Sequence, residues 1–363
     1  MMKVYTITCQ HAKNYGAVLQ TYALAKYLDS CGHNVEVIDY VPNYLNQSLT
    51  SKKWAFNFIR SVIQFPDRFK GEKVFGKFLS EFIPLTSRTY YSYTELQEEL
   101  PPADAYVAGS DQIWNMNCPN GNDDSYFLKF APSGSCKISY AASLAMDKLS
   151  LQQESRLIEL TKDFTALSIR ENSGTELINS LGNQKAVTVV DPVFLLDAKE
   201  WMSIMDSTSQ NEKYILVYAF YRQKEVFEYA MRMAREKKCK VYFINTPYLD
   251  FIMKKDKYFW CATPNRFIKL IHDAESVVTN SFHGLSFSLI FHKDVHVFYP
   301  NRKGNSRIKD LLELTNLSDR VVRDKKTVIR EDIDYISVDK ALNRQIDFSK
   351  SFLRKSLEDR NSR

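Results

Sequence analysis

SVVTNSFHGLSFSLIFHKDVHVF, residues 276–298, reads as strand, helix, strand. Ser276–Thr279 is a short run centred on two valines, short enough to be a strand buried on both faces. Asn280 and Ser281 offer capping side chains just before the apolar stretch 282–291, which has helical length. A second valine-containing run, Val295–Tyr299, begins after His292, Lys293 and Asp294. Two strands joined by a helix form the repeating unit of a parallel sheet, so this stretch assigns the chain to the α/β class.

The alternation continues on both sides. Tyr214–Phe220, Gln223–Lys237, Lys240–Ile244 and Arg266–His272 read as strand, helix, strand and helix. The first half has a strand at Lys3–Cys9, a helix at Tyr15–Ser30 ended by Gly32, and a strand at Val35–Tyr40. Short apolar runs follow at Ala105–Ala108, Ile138–Ala142, Ala166–Ile169 and Val187–Val190, with helical patterns at 151–162 and 173–181. Because the pattern restarts after a polar stretch ending near Lys213, we expect two Rossmann-like domains with a central cleft. Their expected bounds are 1–205, with a helical insertion at about 45–100, and 206–337; residues 338–363 form a closing helix that packs back on the first domain.

The 363 residues are 44% hydrophobic and 25% charged, which are globular values. No apolar run reaches the roughly 18 residues of a membrane span. The opening MMKVYTITCQ reads as a strand rather than a signal peptide, so the expected location is cytoplasmic. Six scattered cysteines with no CxxC pair favour thiols over zinc or disulfides. The net charge of +6 is uneven: residues 51–79 hold seven lysines and arginines, among them Lys52, Lys53, Arg60 and Lys70, against two acids, interleaved with tryptophan and phenylalanine. Such a segment suits peripheral contact with the inner membrane or an anionic lipid-linked partner; alternatively, its aromatics fill a core. GxGxxG, HExxH, GxSxG and P-loop patterns are all missing from the sequence, and no nucleic-acid module is present.

In open α/β sheets ligands bind beyond the carboxyl ends of the strands, and unusual polar residues fall there. Asn14 and Gly16 follow the first strand, where Asn14 can cap the next helix. Gly109, Ser110, Asp111 and Gln112 follow the strand at 105–108; they suit a hydroxylated ligand, or Ser110 or Asp111 caps a helix. Arg170 at a strand end can hold a carboxylate or phosphate, or pair with Glu171 or Asp191. In the second half, the helix start at Ser281 is an anion site with His283 and Gly284 in its first turn. Lys303 and Arg307 belong to a positive loop after the following strand, a second arm of that site. His11 also follows a strand.

With these residues in place, the chain resembles the polysaccharide pyruvyl transferase family. The resemblance rests on NYGAVLQTYAL (14–24), VAGSDQIWN (107–115), ISYAAS (138–143), LSIRENSG (167–174), VVDPVFLL (189–196) and TNSFHGLSFSLIF (279–291). It implies a glycosyltransferase-B-like fold with an acceptor side in the first domain and a donor side in the second. It further implies transfer of pyruvate from phosphoenolpyruvate to two sugar hydroxyls as a ketal, with no metal or organic cofactor. Galactose on a capsular or exopolysaccharide repeat unit is the acceptor it suggests, and the basic aromatic segment 51–79 suggests that this unit is carried by a lipid. By the same resemblance His283 is the proton donor and Asp111 orients or deprotonates an acceptor hydroxyl. Arg170, Ser281, Gly284, Arg307 and Lys303 then hold the donor, while Asn14, Gly16, Ser110 and Gln112 hold the acceptor. Many members carry arginine-leucine-histidine where this chain has Ser281-Phe282-His283, so either Arg307 or Lys303 supplies the missing cation or the donor differs. A nucleotide-sugar glycosyltransferase and a non-catalytic glycan-binding protein are the alternatives on the same architecture.

Overall fold

A computed structural model describes residues 1–45, 69–146, 148–182, 185–208, 212–220, 223–244, 258–300, 305–324, 327, 329 and 332–358. These form two compact units. The first comprises the described residues of Met1–Ser51, Leu79–Leu195 and Asn343–Arg363, and the second those of Lys52–Phe78 and Leu196–Leu342.

The first unit holds β1 (Lys3–Ile7), β2 (Asn34–Tyr40), β3 (Leu85–Tyr90), β4 (Ala105–Ala108) and β5 (Cys136–Ser139) in one sheet of order β3-β2-β1-β4-β5. All its pairings are parallel. A parallel pair, β6 (Leu167–Ile169) and β7 (Ala186–Thr188), continues beyond β5 through bridges from Ile138 to Ala166 and from Ala142 to Ile169. The order reverses between β1 and β4, so the loops after these two strands flank the switch point at which such sheets bind ligands. Trp114, fully buried, stacks on Phe127 at 5.1 Å and donates Nε1–H to the Tyr126 carbonyl at 2.9 Å. It seals the core below the loop that follows β4.

The second unit repeats the plan with β8 (Tyr214–Tyr218), β9 (Lys240–Ile244), β10 (Tyr258–Phe259), β11 (Ser276–Thr279) and β12 (Asp294–Val297). Their order is β10-β9-β8-β11-β12, again parallel, with the switch between β8 and β11. The strand–helix–strand reading of 276–298 therefore holds, with the helix at Phe282–Ile290. Every residue from Phe282 to Leu289 is buried, so packing rather than amphipathicity holds this helix. Trp201 meets Phe287 edge-on at 4.9 Å, Phe287 meets Phe267 at 5.8 Å, and Phe267 meets Tyr218 at 4.9 Å. Such pairs contribute about 0.5–1.5 kcal/mol each beyond burial. The Ser286 and Ser288 hydroxyls are satisfied by the Phe282 and Gly284 carbonyls.

The region expected to be a helical insertion differs in part. Residues 46–68 lie outside the described residues, 69–82 are helical, and Leu85–Tyr90 is the edge strand β3. LTSRTY has one strongly apolar side chain, and an edge strand with solvent on its outer side needs no more. Of the basic aromatic segment, Lys52, Lys53 and Arg60 fall in the undescribed part. In the helical part Phe75 and Phe78 are buried, Lys73 and Lys77 are exposed, and Lys70 Nζ lies 4.1 Å from the Trp260 ring centre. None of the six cysteines is in a disulfide. No helix among the described residues is long and apolar enough to cross a membrane.

Candidate active site

In the second unit the loops after β8 and β11 are tied together by one side chain. Asn280 Oδ1 accepts from the Phe220 amide at 2.7 Å, and its Nδ2 donates to the Phe220 carbonyl and to Gln223 Oε1, both at 2.8 Å. Ser281 is the N-cap of helix Phe282–Ile290, its hydroxyl accepting from the Gly284 amide at 3.4 Å. His283, 7% exposed, therefore sits in the first turn, its ring edge-on to Phe282 at 5.2 Å. Gly284 is required on steric grounds, since a Cβ there would lie 2.2 Å from Thr279 Oγ1 and 3.0 Å from Tyr218 Cδ1. Thr279 Oγ1 is itself fixed, donating to the Tyr218 carbonyl at 2.7 Å and accepting from the Ser281 amide at 3.0 Å. The histidine is thus held by a turn with almost no slack. Arg307 lies in the first turn of helix Ser306–Leu314, which packs against the His283 helix. Lys303 lies outside the described residues.

In the first unit no regular helix follows β4; residues 109–118 form successive turns. Gly109 has φ +136, and a Cβ would lie 1.9 Å from the Tyr140 carbonyl oxygen, so only glycine permits this approach. Asp111 follows with φ 75. Its Oδ1 accepts from the Gln112 amide at 2.8 Å and from Arg170 Nη2 at 3.4 Å, and its Oδ2 accepts from the Cys9 thiol at 3.6 Å. Burial, and then the Asp111 carboxylate, push the Cys9 thiol well up, so it stays protonated as that donor.

Two expectations shift here. Arg170 does not present its guanidinium to solvent: its side chain is 1% exposed, and Nη1 lies 2.6 Å from Asp191 Oδ2. Burial alone would weaken its hold on the proton, but Asp191, Asp111 and Glu171 outweigh that and raise its pKa. Arg170 thus anchors Asp111 rather than reaching for a free anion. Ser110 is fully buried, with its amide on Gln20 Oε1 at 3.0 Å and its hydroxyl on the Ala141 carbonyl at 2.8 Å, so it braces the loop rather than meeting a ligand. Asn14 caps helix Tyr15–Ser30 by accepting from the Gly16 amide at 2.8 Å, and it remains partly exposed. Gln112 is partly exposed, and its Oε1 accepts from Asn115 Nδ2 at 3.0 Å.

Sequence reasoning missed a partner for His11. Its Nε2 lies 2.6 Å from Asp39 Oδ1, near the carboxyl end of β2, and Thr89 of β3 donates to Asp39 Oδ2 at 2.5 Å. The signal was divided between a polar edge strand and an aspartate inside an apolar one. Gln10 Nε2, bonded to the Ile38 carbonyl at 2.7 Å, sets the loop beside β2. Among the described residues, no group of three metal-binding side chains assembles.

A family model described as polysaccharide pyruvyl transferase matches residues 14–302. A search of curated proteins returns no match. Among solved structures, a UDP-N-acetylglucosamine 2-epimerase from Rickettsia bellii is 13% identical with a TM-score of 0.52, covering 100% of this chain and 98% of that one. One from Methanocaldococcus jannaschii is 11% identical with a TM-score of 0.52, covering 95% and 92%. The S. aureus MnaA–UDP co-structure is 14% identical with a TM-score of 0.51, covering 96% and 88%. At these identities the likeness is one of fold: two Rossmann-like units, glycosyltransferase-B-like in plan.

Proposed function

The chain belongs to the polysaccharide pyruvyl transferase family, and from that premise we propose that it moves pyruvate from phosphoenolpyruvate onto two hydroxyls of a sugar, closing a cyclic ketal. Family membership supports pyruvyl transfer in polysaccharide biosynthesis. The observation that carries the finer reading is His283, fixed in the first turn of a helix at the switch point of the second sheet.

In this reading His283 gives a proton to C3 of the enol, and C2 becomes an oxocarbenium centre open to a hydroxyl. One hydroxyl oxygen bonds to C2; the C2–O bond to phosphate then breaks, and the second hydroxyl closes the ring. The two hydroxyl protons balance the step, one replacing the proton given to C3 and one leaving on phosphate. Arg307, Lys303 and the positive end of the dipole of helix Phe282–Ile290 hold the donor's negative charge as it moves. Asp111, kept in place by Arg170, accepts a hydrogen bond from the attacking hydroxyl, with Asn14, Gly16 and Gln112 along the acceptor's path. These steps need only acids, bases and cations of the chain. Galactose on a lipid-linked capsular or exopolysaccharide repeat unit is the acceptor we assign. The charge of segment 51–79 supports the lipid-linked form.

Mass spectrometry of products from phosphoenolpyruvate and a panel of glycosides tests the reaction, with a pyruvate ketal as the expected product. His283→Ala should abolish phosphate release while unfolding at the wild-type temperature; wild-type turnover in that variant would remove His283 from the mechanism. Neutralising Lys52, Lys53, Arg60 and Lys70 should slow turnover of lipid-linked acceptor and spare free glycoside; equal rates on both would sink the membrane reading.

A further inference from the structure

Taking a proton from the attacking hydroxyl requires a base, and Asp111 is poorly placed to be one. Its Oδ1 serves the Gln112 amide and Arg170, and its Oδ2 serves Cys9. We propose that His11, oriented by Asp39, is the general base that deprotonates the sugar hydroxyl; this rests on the pyruvyl-transfer reading above.

The hydrogen-bond chemistry fixes the tautomer. Burial alone would raise the Asp39 carboxyl, but hydrogen bonds from His11 and Thr89 hold it below the usual carboxylate range. An ionised carboxylate only accepts, so the hydrogen between His11 and Asp39 must sit on Nε2. In the neutral ring, Nδ1 then carries the lone pair. Among the described residues no hydrogen bond reaches Nδ1, and the ring is 25% exposed. Asp39 cannot swing away: Oδ2 takes the Thr89 hydroxyl at 2.5 Å, and its amide donates to Thr86 Oγ1 at 3.0 Å. A carboxylate behind an imidazole that offers its other nitrogen outward is the arrangement by which general bases are oriented.

Location separates this pair from the others. Four histidine–aspartate pairs occur among the described residues. His272–Asp273, His292–Asp339 and His296–Asp294 involve residues before or at the amino ends of β11 and β12. His11–Asp39 alone among them lies at carboxyl ends, beside β1 at the switch point and two residues from Cys9, which bonds Asp111. Among the described residues, the ionisable group at hydrogen-bond distance from the ring is Asp39 of β2; Cys9 and Lys13 share the loop with His11 in sequence.

In the step itself, the hydroxyl oxygen bonds to C2 of the protonated donor while its hydrogen passes to His11 Nδ1. The proton then leaves with phosphate or to water, returning the ring to neutral.

The test compares full-length wild type with His11→Ala and Asp39→Asn, measuring phosphate release from phosphoenolpyruvate with an accepted glycoside. His11→Ala is expected to lower kcat by about 100- to 10,000-fold, with KM for phosphoenolpyruvate within about twofold of wild type. Added imidazole should restore part of that rate. Asp39→Asn should show a smaller loss that imidazole does not rescue. A fall of less than tenfold in His11→Ala, or a larger fall that imidazole leaves unchanged, overturns the assignment of His11 alone. No turnover by wild type with any glycoside overturns the transfer reading and this inference with it.

Discussion

Removing Asp191 tests whether the buried charge network holds the first switch point together. Its carboxylate is fully buried, 2.6 Å from Arg170 Nη1, and it also accepts from the Val193 amide at 3.1 Å and the Ser110 hydroxyl at 3.4 Å. In Asp191→Ala the guanidinium stays charged and buried, with Asp111 at 3.4 Å as its remaining ion-pair partner at the loop. Breaking a buried pair from one side costs about 3–5 kcal/mol, because the other charge is stranded. For a unit of this size each kcal/mol moves the midpoint by about 2–4 °C, so Tm should fall by roughly 6–20 °C. The assay is thermal unfolding followed by Trp fluorescence, with Trp114 reporting from beneath the loop. Replacing both partners, as Arg170→Met with Asp191→Leu, should recover most of the loss, since an apolar pair strands no charge. A drop under 2 °C in Asp191→Ala, or a double variant as unstable as the summed singles, would refute the reasoning.

Two further outcomes follow from neighbouring geometry. Gly284→Ala puts a methyl 2.2 Å from Thr279 Oγ1, forcing that hydroxyl off the Tyr218 carbonyl; it should cost about 1–3 kcal/mol, read from denaturant midpoints, and lower kcat more than stability because His283 shifts with the turn. His296 is held neutral mainly by burial, against the pull of Asp294, so its pKa lies below the usual 6.5. The unfolded chain therefore binds the extra proton first, and stability present above pH 6.5 declines as pH falls from 7 to 5; urea midpoints should show this, with a shallower decline in His296→Asn.

Most of the fold could be read because most of its strands are short apolar runs, several of them followed by a helical pattern. VVT at 277–279 and AYVA at 105–108 need no partner to be recognised. Leu85–Tyr90 escaped because an edge strand is defined by its neighbour, not by its own hydrophobicity. That omission hid the setting of the His11–Asp39 pair, since Thr89 of that strand donates to the Asp39 carboxylate. His283 was legible from its cap and glycine, both local features. Arg170 was legible as a strand-end arginine, yet its direction was not, because which carboxylate it faces is set by packing twenty-one residues away.

One feature of the first unit bears on how the chain is made. Ser349 Oγ caps the Val190 amide 159 positions away, Gln345 bonds the Thr188 carbonyl, and Cys136 donates to the Ser356 carbonyl, all from helix Tyr335–Glu358. The unit whose strands leave the ribosome first therefore waits for a helix synthesised after the whole second sheet. A nascent chain halted before residue 335 would hold the strands of the first sheet with the Val190 amide and the Thr188 carbonyl still lacking the side chains that bond them in the finished fold.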